Sequence, residues 1–281
     1  MTIGQTATTP RRDTAGTFQR RVPEDEIPLK KKALGQHFLR KDSTVFNMIN
    51  RATITKDTSV LEIGCGDGFL TRAILENTPC KKLVCYEIDP EWAAYVRKSV
   101  KDPRLEIRLK NILEVDLSVL QSEGPWVILA NLPYNITFPI MSMLEEHRSL
   151  FKEIIVMVQE EVGQKFAAEY GRSLSPVPFF YQHRFSIKLM EKIEPAAFNP
   201  PPNVFSRLVY FKPILEPLVI PEEEAFWKFL KLCFNSPRQT LRNNLRTTHY
   251  DLTLLEEELL AKRSQQLDFA NFLSIWDKVK A

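Results

Sequence analysis

The chain has 281 residues, of which 44% are hydrophobic and 26% charged, and its formal net charge is +3. That composition is typical of a soluble globular protein with room for one large domain and a smaller one, and it does not by itself indicate a polyanionic partner. The four cysteines form no C-x-x-C pair and no zinc spacing, so we expect no metal site and a reducing compartment. No run of about 18 apolar residues and no signal-peptide pattern occurs, so we expect a cytoplasmic protein without a membrane span.

Residues 1–32 contain few large apolar residues and more basic than acidic ones. A segment of this composition cannot bury enough apolar surface to fold alone, so we predict a disordered basic arm. Three roles for it stay open: a solvated tail, an extension that contacts phosphates, or an organellar transit peptide.

The segment that follows combines Gly35, where the backbone can turn, with the hydrogen-bonding side chain of Gln36 and the ring of Phe38. These groups could close over the purine of a ligand. Leu34, Phe38 and Leu39 could equally pack a loop onto the next domain, and spacing alone does not separate the two alternatives.

A strand, a glycine-rich turn and a helix follow one another over residues 59–77. The apolar run 59–63 predicts a short buried strand, and 69–77 repeats apolar residues at helical spacing. Between them, glycines at 64, 66 and 68 permit positive φ angles and leave room for a ligand against the backbone. The order G-x-G-x-G with Glu62 before it differs from the G-x-G-x-x-G of pyrophosphate sites. Because the acid favours a cationic ligand, the pattern indicates S-adenosylmethionine.

Two polar side chains follow the next predicted strands. Glu87 comes 23 residues after Gly64, near the roughly 20-residue spacing of acids that bind ribose hydroxyls. Asn111 stands where a side chain could meet the adenine amino group. Asp89 precedes Pro90, which predicts a helix N-cap rather than a ligand contact.

Strands alternate with helices through the first two thirds of the chain. Strands are predicted over 59–63, 83–86, 105–109, 126–130 and 154–158, and helices over 69–77, 90–99 and 136–147. This alternation predicts a mostly parallel sheet whose sites lie at the carboxyl ends of the strands. Four candidate ligand-binding residues fall there: Gly64, Glu87, Asn111 and Asn131.

The stretch Asn131-Leu132-Pro133-Tyr134 follows the fourth of these strands. It offers a side-chain amide, a carbonyl ahead of a proline and an aromatic face, which together could hold a planar ring that carries an amine. Alone it could be an ordinary strand-to-loop turn; at this edge of the sheet it indicates a catalytic site.

The ordered motifs resemble those of the bacterial-type small-subunit ribosomal RNA adenine N6,N6-dimethyltransferases, over about residues 30–281. They are the stretches 34–39, 62–71, 87–89, 131–136 and 198–204. The resemblance implies an α/β fold, with a Rossmann-like S-adenosylmethionine-dependent methyltransferase sheet and a small C-terminal helical domain. It places the methyltransferase domain at 33–214, with two further strands near 183–190 and 206–212, and the helical domain at 215–281.

The same resemblance implies roles for individual residues. The target adenine would be held by Asn131, Leu132 and Tyr134, with Phe198 as the second stacking wall. Residues expected to contact S-adenosylmethionine are Gln36, His37, Leu39, Glu62, Gly64, Gly66, Glu87, Ile88, Asn111, Ile112 and Asn131.

The substrate implied is a pair of adjacent adenosines near the 3′ end of small-subunit rRNA, in a pre-30S-like particle. Each would receive two methyl groups from the enzyme, which we expect to be a monomer. Expected RNA contacts are Lys31, Lys32, Arg238, Arg242 and Arg246, of which the last three, at i, i+4 and i+8, would line one helix face.

Three positions depart from the family pattern. Asn111 stands where the family usually has Asp, and Phe205 replaces the usual polar residue before Ser206. Residues 237–239 replace a more basic run, which puts part of the expected rRNA contact in doubt.

Two alternatives stay open. One is a large-subunit rRNA adenine methyltransferase of the antibiotic-resistance type. The other is a nucleic-acid-binding assembly or transcription factor that kept the fold with reduced catalysis.

Overall fold

The computed structural model describes residues 27–31, 35–171 and 174–280. The predicted N-terminal arm therefore lies outside the described residues except for its last few, and so does Lys32. Among the residues that are described, no helix is long and apolar enough to cross a membrane.

A seven-stranded sheet forms the centre of the fold. Two short strands, β1 (Phe38–Leu39) and β8 (Phe198–Asn199), pair separately from it. The sheet contains β2 (Ser59–Ile63), β3 (Lys82–Glu87), β4 (Leu105–Leu109), β5 (Trp126–Asn131), β6 (Phe151–Gln159), β7 (Phe185–Ile193) and β9 (Ser206–Pro213). Their order is β4-β3-β2-β5-β6-β9-β7, and the pairs from β4 to β6 are parallel while β9 is antiparallel to both β6 and β7. The predicted parallel sheet and its two added strands are confirmed.

Ten α-helices occur within the described ranges. They are α1 (Asp42–Arg51), α2 (Phe69–Asn77), α3 (Pro90–Ser99), α4 (Thr137–Glu146), α5 (Glu160–Phe166), α6 (Pro176–Arg184), α7 (Glu223–Cys233), α8 (Leu241–Leu245), α9 (Glu257–Ala261) and α10 (Phe269–Val279). The bounds predicted for α2 and α3 are confirmed, and the Asp89 side chain caps α3 by accepting from the Glu91 amide at 3.1 Å. The helix predicted at 136–147 begins instead with a 3₁₀ turn, Tyr134–Ile136.

The order of the strands positions the site. From β2 the chain moves outward to β3 and β4, and it then returns to β5 on the opposite side of β2. The carboxyl ends of β2 and β5 therefore flank a topological switch point, where open α/β sheets bind their ligands. Every side chain of β2 is buried, as expected of a strand covered on both faces.

The C-terminal helices bury an apolar cluster distinct from the two clusters that cover the sheet. Phe226, Phe272 and Trp276 lie in it. Leu174 and Phe179, which precede β7, belong to the same cluster. The apolar core thus crosses the predicted domain boundary, which stays a prediction.

Arg184, at the end of α6, joins the sheet domain to the C-terminal helices. Its Nε lies 2.5 Å from the carboxylate of Glu145 on α4, and its terminal nitrogen pairs with Glu223 on α7. The guanidinium also lies 4.2 Å from the ring centroid of Phe180. A mostly buried charge with partners in both parts of the molecule fixes how they pack.

We expect Arg184→Met to lower the free energy of unfolding by about 3 kcal/mol, because it leaves the buried Glu145 without its closest cation. Arg242→Met is the matched control, since its ion pair with Glu257 is exposed and should contribute little. Urea unfolding of both variants measures the difference. Equal losses would contradict this assignment.

Candidate active site

The glycine-rich turn after β2 makes the floor of a cavity. Gly64 and Gly66 have φ angles of 76° and 50°, in the left-handed region that favours glycine. A Cβ on Gly66 would lie 2.6 Å from the ring of Phe38, so only glycine permits this packing. The ring of Phe38 meets Trp92 edge-on at 4.7 Å between centroids, which holds the 35–39 segment against the turn.

The cavity encloses about 1060 Å³, including the part open to solvent. All eleven residues predicted to contact the cofactor line it, as do Leu132 and Tyr134. They come from the segment before α1 and from the carboxyl ends of β2, β3, β4 and β5. The structure thus brings together groups that are up to 98 positions apart in the chain.

Glu62 places a carboxylate under the cavity floor. Only 1% of the residue is exposed, and its Oε2 accepts a hydrogen bond of 2.7 Å from the Thr71 hydroxyl. Its Oε1 is buried and has no donor among the described residues. Burial raises the pKa of Glu62 to about 8. A buried acid that lacks one partner favours a ligand that brings a positive charge.

Glu87, at the end of β3, is held by backbone amides. Its Oε2 accepts from the Gly66 amide at 3.0 Å, and its Oε1 accepts from the Asp89 amide at 2.9 Å. Each carboxylate oxygen can accept more than one hydrogen bond, so both remain able to accept from a ribose hydroxyl. The two amides fix the orientation in which the carboxylate is presented.

Asn111 has a local role that the sequence did not indicate. Its Oδ1 accepts from the Leu113 amide at 3.2 Å, and its Nδ2 donates to the Glu114 carboxylate at 3.0 Å. The side chain thus caps the short 3₁₀ turn Ile112–Glu114 beside the cavity. The expected contact with adenine stays a prediction.

Asn131 ends β5, and the structure determines which end of its amide is available. Its Nδ2 donates to the His37 carbonyl at 2.9 Å, so the remaining polar atom, Oδ1, is an acceptor. The Leu132 amide donates to the Met157 carbonyl at 3.1 Å, which holds the next peptide against β6. Pro133 has no N–H, so it adds no donor to this group of acceptors.

Tyr134 is fixed at both its hydroxyl and its ring. The hydroxyl forms a hydrogen bond of 2.5 Å with Ser206 Oγ, and the ring stacks on His37 at 5.9 Å between centroids with the planes 21° apart. His37 in turn donates from Nδ1 to the Pro200 carbonyl at 2.9 Å. Burial raises the pKa of Tyr134, so the hydroxyl stays protonated.

Phe198 does not line the cavity opposite Tyr134, so its role as the second stacking wall stays a prediction. Phe198 is 3% exposed, pairs with Leu39 in the β1–β8 ladder and packs in the core beneath α1. It is absent from the cavity lining. The aromatic neighbour of Tyr134 is His37, because the β1–β8 pairing directs Phe198 into the apolar core.

Lys31 belongs to a cluster at the cavity rim, and its predicted contact with RNA stays a prediction. Its Nζ lies 2.9 Å from Asp89 and 3.0 Å from Glu91. Gln36 joins the same cluster by donating to Asp89 at 3.1 Å and accepting from the Lys31 amide at 2.7 Å and from Trp92 at 3.3 Å. Burial alone would raise the pKa of Asp89, but hydrogen bonds from Lys31 and Gln36 lower it.

The predicted helix face of three arginines does not form. Thr240 caps α8, accepting from the Asn243 amide at 3.3 Å, so Arg238 lies in the turn before the helix. The helix ends at Leu245, and Arg246 is its C-cap. Arg242 alone lies within α8, where it pairs with a carboxylate of α9. All three side chains are exposed, so RNA contact by each stays a prediction.

Comparisons with known proteins assign the chain to a family. A family model described as "Ribosomal RNA adenine dimethylase" matches residues 28–278. The chain belongs to this family. Ribosomal RNA small subunit methyltransferase A of Prosthecochloris aestuarii is 35% identical over 260 residues, which are 91% of this chain and 95% of that protein. The protein of the same name from Geobacter metallireducens is 34% identical over 229 residues, 79% of this chain and 82% of that one.

Two solved structures share the fold. A dimethyladenosine transferase from Plasmodium falciparum matches with a TM-score of 0.73 and 25% identity, over 86% of this chain and 98% of its own. The 23S rRNA methyltransferase ErmE matches with a TM-score of 0.70 and 23% identity, over 87% of this chain and 100% of that one. At this identity the match shows a likeness of fold alone. The methyltransferase fold expected from the sequence is confirmed.

S-adenosylmethionine is the cofactor of this family, and the cavity fits it. The unpartnered Oε1 of Glu62 is suited to the ammonium group, and the fixed carboxylate of Glu87 is suited to the ribose hydroxyls. The apolar side chains of Ile88 and Ile112 line the cavity near Asn111, as an adenine ring requires.

Binding of a cationic ligand should therefore remove a proton from Glu62. In the free protein the pKa of about 8 keeps this carboxyl protonated at neutral pH, and a nearby ammonium favours the ionised form. At about pH 6.5 we expect S-adenosylhomocysteine to release close to one proton per site. Calorimetric titrations in buffers of different ionisation enthalpy measure this number, and Glu62→Gln should abolish the release.

The raised pKa of Glu62 also makes the free energy of unfolding depend on pH. The folded chain binds this proton more tightly than the unfolded chain, so the free energy of unfolding should fall as the pH rises from about 4.5 to about 8. Glu62→Gln should weaken that dependence. Thr71→Ser is the matched control, because it keeps the hydroxyl donor. Ligand binding without proton release by the unaltered protein would contradict the assigned role of Glu62.

Proposed function

We propose that this protein transfers methyl groups to N6 of two adjacent adenosines near the 3′ end of small-subunit rRNA, two groups to each. We further propose that it acts as a monomer on a pre-30S-like particle. Relatives that carry the name ribosomal RNA small subunit methyltransferase A support the choice of subunit, at 30–35% identity across most of both chains.

The observation that carries the proposal is the orientation of Asn131. Its Nδ2 donates to the His37 carbonyl, and its Oδ1 remains as an acceptor beside the peptide of Leu132. An adenine amino group carries two N–H donors, so two acceptors at the end of β5 match it. A cytosine amine offers the same donors, but the family assignment favours adenine.

Methyl transfer to the adenine N6 requires hydrogen-bond acceptors rather than a general base. The N6 lone pair of adenine is delocalised into the ring, so the nitrogen must become tetrahedral and partly cationic as it is methylated. The Asn131 Oδ1 and the Leu132 carbonyl can stabilise that charge by accepting from the two N–H groups. The bound cofactor supplies the electrophilic methyl group. The methylated nitrogen is acidic enough to lose its proton to water, so the histidines need not act as bases.

Tyr134 would provide the stacking face for a base that has left its helix. Stacking of this kind contributes roughly 1–3 kcal/mol per base. The hydrogen bond with Ser206 keeps the ring from rotating away. His37, which lies against the ring in this structure, would move aside or cover the base from the opposite face.

A methyl-transfer assay tests the substrate. Tritiated S-adenosylmethionine is supplied with small subunits that lack these methyl groups, with large subunits and with naked rRNA, and the product nucleosides are identified by mass spectrometry. We expect N6,N6-dimethyladenosine from small subunits. Transfer to large subunits would support the antibiotic-resistance type instead, and RNA binding without transfer would indicate an assembly factor.

Replacement of Asn131 by Ala should lower single-turnover methylation by about 10²–10³-fold, because it removes an acceptor used by the developing charge. Binding to the small subunit should be retained. Asn135→Ala is the matched control, an exposed asparagine in the same loop that does not line the cavity. Unchanged single-turnover rates for Asn131→Ala would refute the role assigned to this amide.

A further inference from the structure

An exposed aromatic ring lies outside the cavity lining, one residue before the partner of the Tyr134 hydroxyl. Phe205 is 46% exposed, although it directly precedes β9 and the buried Ser206. Its carbonyl accepts from the Glu160 amide at 2.9 Å, so its backbone is held against the start of α5. The next residue, Ser206, bonds to the hydroxyl of Tyr134. Phe205 is thus one residue from a direct contact with the adenine-binding loop.

A lysine accompanies this ring. The Nζ of Lys192 lies 4.4 Å from the centroid of Phe205. Lys192 follows an irregularity in the pairing of β7 with β9, and such bulges often redirect a side chain next to an active site. No carboxylate of the described residues lies within ion-pair distance of Lys192; the pKa of Glu160 is lowered chiefly by its hydrogen bond with Arg207 and to a smaller extent by the charge of Lys192.

Two other cations in this region, Arg207 and Lys41, are already paired with carboxylates. Arg207 binds Glu160 through two contacts of 2.8 and 2.7 Å, and Lys41 lies 2.7 Å from Glu191. Lys192 therefore carries the ammonium at this corner of the sheet that can bind an external anion. A lysine stem is flexible enough to leave the ring and follow a phosphate.

Phe205 and Lys192 lie at a position, relative to Asn131, that suits contact with the nucleotide next to the target adenosine. In the sheet, β9 is separated from β5 by β6 alone, and Ser206 pairs with Gln159 at the carboxyl end of β6. Asn131 pairs with Met157 and Met157 with Leu208, so Phe205 lies two strands across and three residues along from Asn131, roughly 14 Å between backbone positions. The Tyr134 side chain spans part of this distance by reaching Ser206, so a nucleotide next to one stacked on Tyr134 can reach Phe205 in an unstacked single strand.

We propose that Phe205 and Lys192 form a binding subsite for the unpaired nucleotide adjacent to the target adenosine. The ring stacks on the base, and the ammonium contacts a phosphate beside it. This subsite rests on the proposed function, since it needs an RNA substrate. It would hold one of two consecutive adenosines while the other occupies the cavity.

Phe205→Leu tests the stacking, because it keeps an apolar side chain and removes the aromatic face. We expect the KM for RNA to rise about tenfold, the equivalent of about 1.4 kcal/mol, while kcat and the KM for S-adenosylmethionine stay unchanged. Phe205→Tyr should restore the KM. Tyr170→Leu is the matched control, since Tyr170 is an exposed aromatic in the loop that connects α5 to α6.

The same assay tests which neighbouring base of the RNA stacks on Phe205. Small subunits are reconstituted with rRNA whose 3′ hairpin carries an abasic residue on the 5′ or the 3′ side of the target adenosine. Loss of the correct base should raise the KM of the unaltered protein about tenfold, and Phe205→Leu should then add nothing. Lys192→Met should reduce the slope of log KM against log salt concentration by about 0.7.

The outcomes separate the two proposals. If the unaltered protein methylates small subunits and Phe205→Leu does not change the KM for RNA, the subsite is refuted and the proposed function stands. Additive effects of Phe205→Leu and the abasic residue on both sides would also refute it. If no rRNA is methylated by the unaltered protein, the proposed function fails and the subsite fails with it.

Discussion

The hydrogen bond from Asn131 Nδ2 to the His37 carbonyl is the contact on which the site depends. It joins the end of a central strand to a segment almost a hundred positions earlier in the chain. Because the amide nitrogen is occupied, the oxygen is left as the acceptor that an exocyclic amine requires. The same bond holds His37 where its ring meets Tyr134. One contact therefore sets both which atom of the Asn131 amide is free to accept and where the His37 ring lies against Tyr134.

The segment held by this bond is also tied to the cofactor side of the cavity. Phe38 packs on Gly66, and Gln36 bonds to Asp89, the residue that caps α3. Glu87, two positions before Asp89, orients its carboxylate through the amides of Gly66 and Asp89. The residues that suit the ribose and those that suit the target amine thus share one hydrogen-bonded network. A change at either end can be transmitted to the other by direct contacts.

Much of this arrangement could be predicted from sequence because local rules dominate there. The bounds of α2 and α3 follow from a glycine-rich turn before one helix and an Asp-Pro cap before the other. The cofactor residues share an edge because parallel strands end together. Phe198 lies outside the cavity lining because strand pairing with Leu39 decides which way its side chain points, and no spacing rule shows that pairing. The predicted helix face formed by Arg238, Arg242 and Arg246 is wrong. The helix α8 begins only after its cap at Thr240 and ends before Arg246.

Other features of the site depend on contacts between distant segments, so no spacing rule reveals them. Lys31 was expected to meet phosphate, yet two acids around α3 hold it, and Asn111 caps a turn of its own. The resulting distribution of charge has a consequence for binding. Inside the cavity one oxygen of the Glu62 carboxylate lacks a partner and favours a cation, while Lys31 and Arg40 beside the cavity are already paired with acids. Cations that have no such acid partner, Lys192 among them, are therefore the ones we propose to attract the RNA backbone.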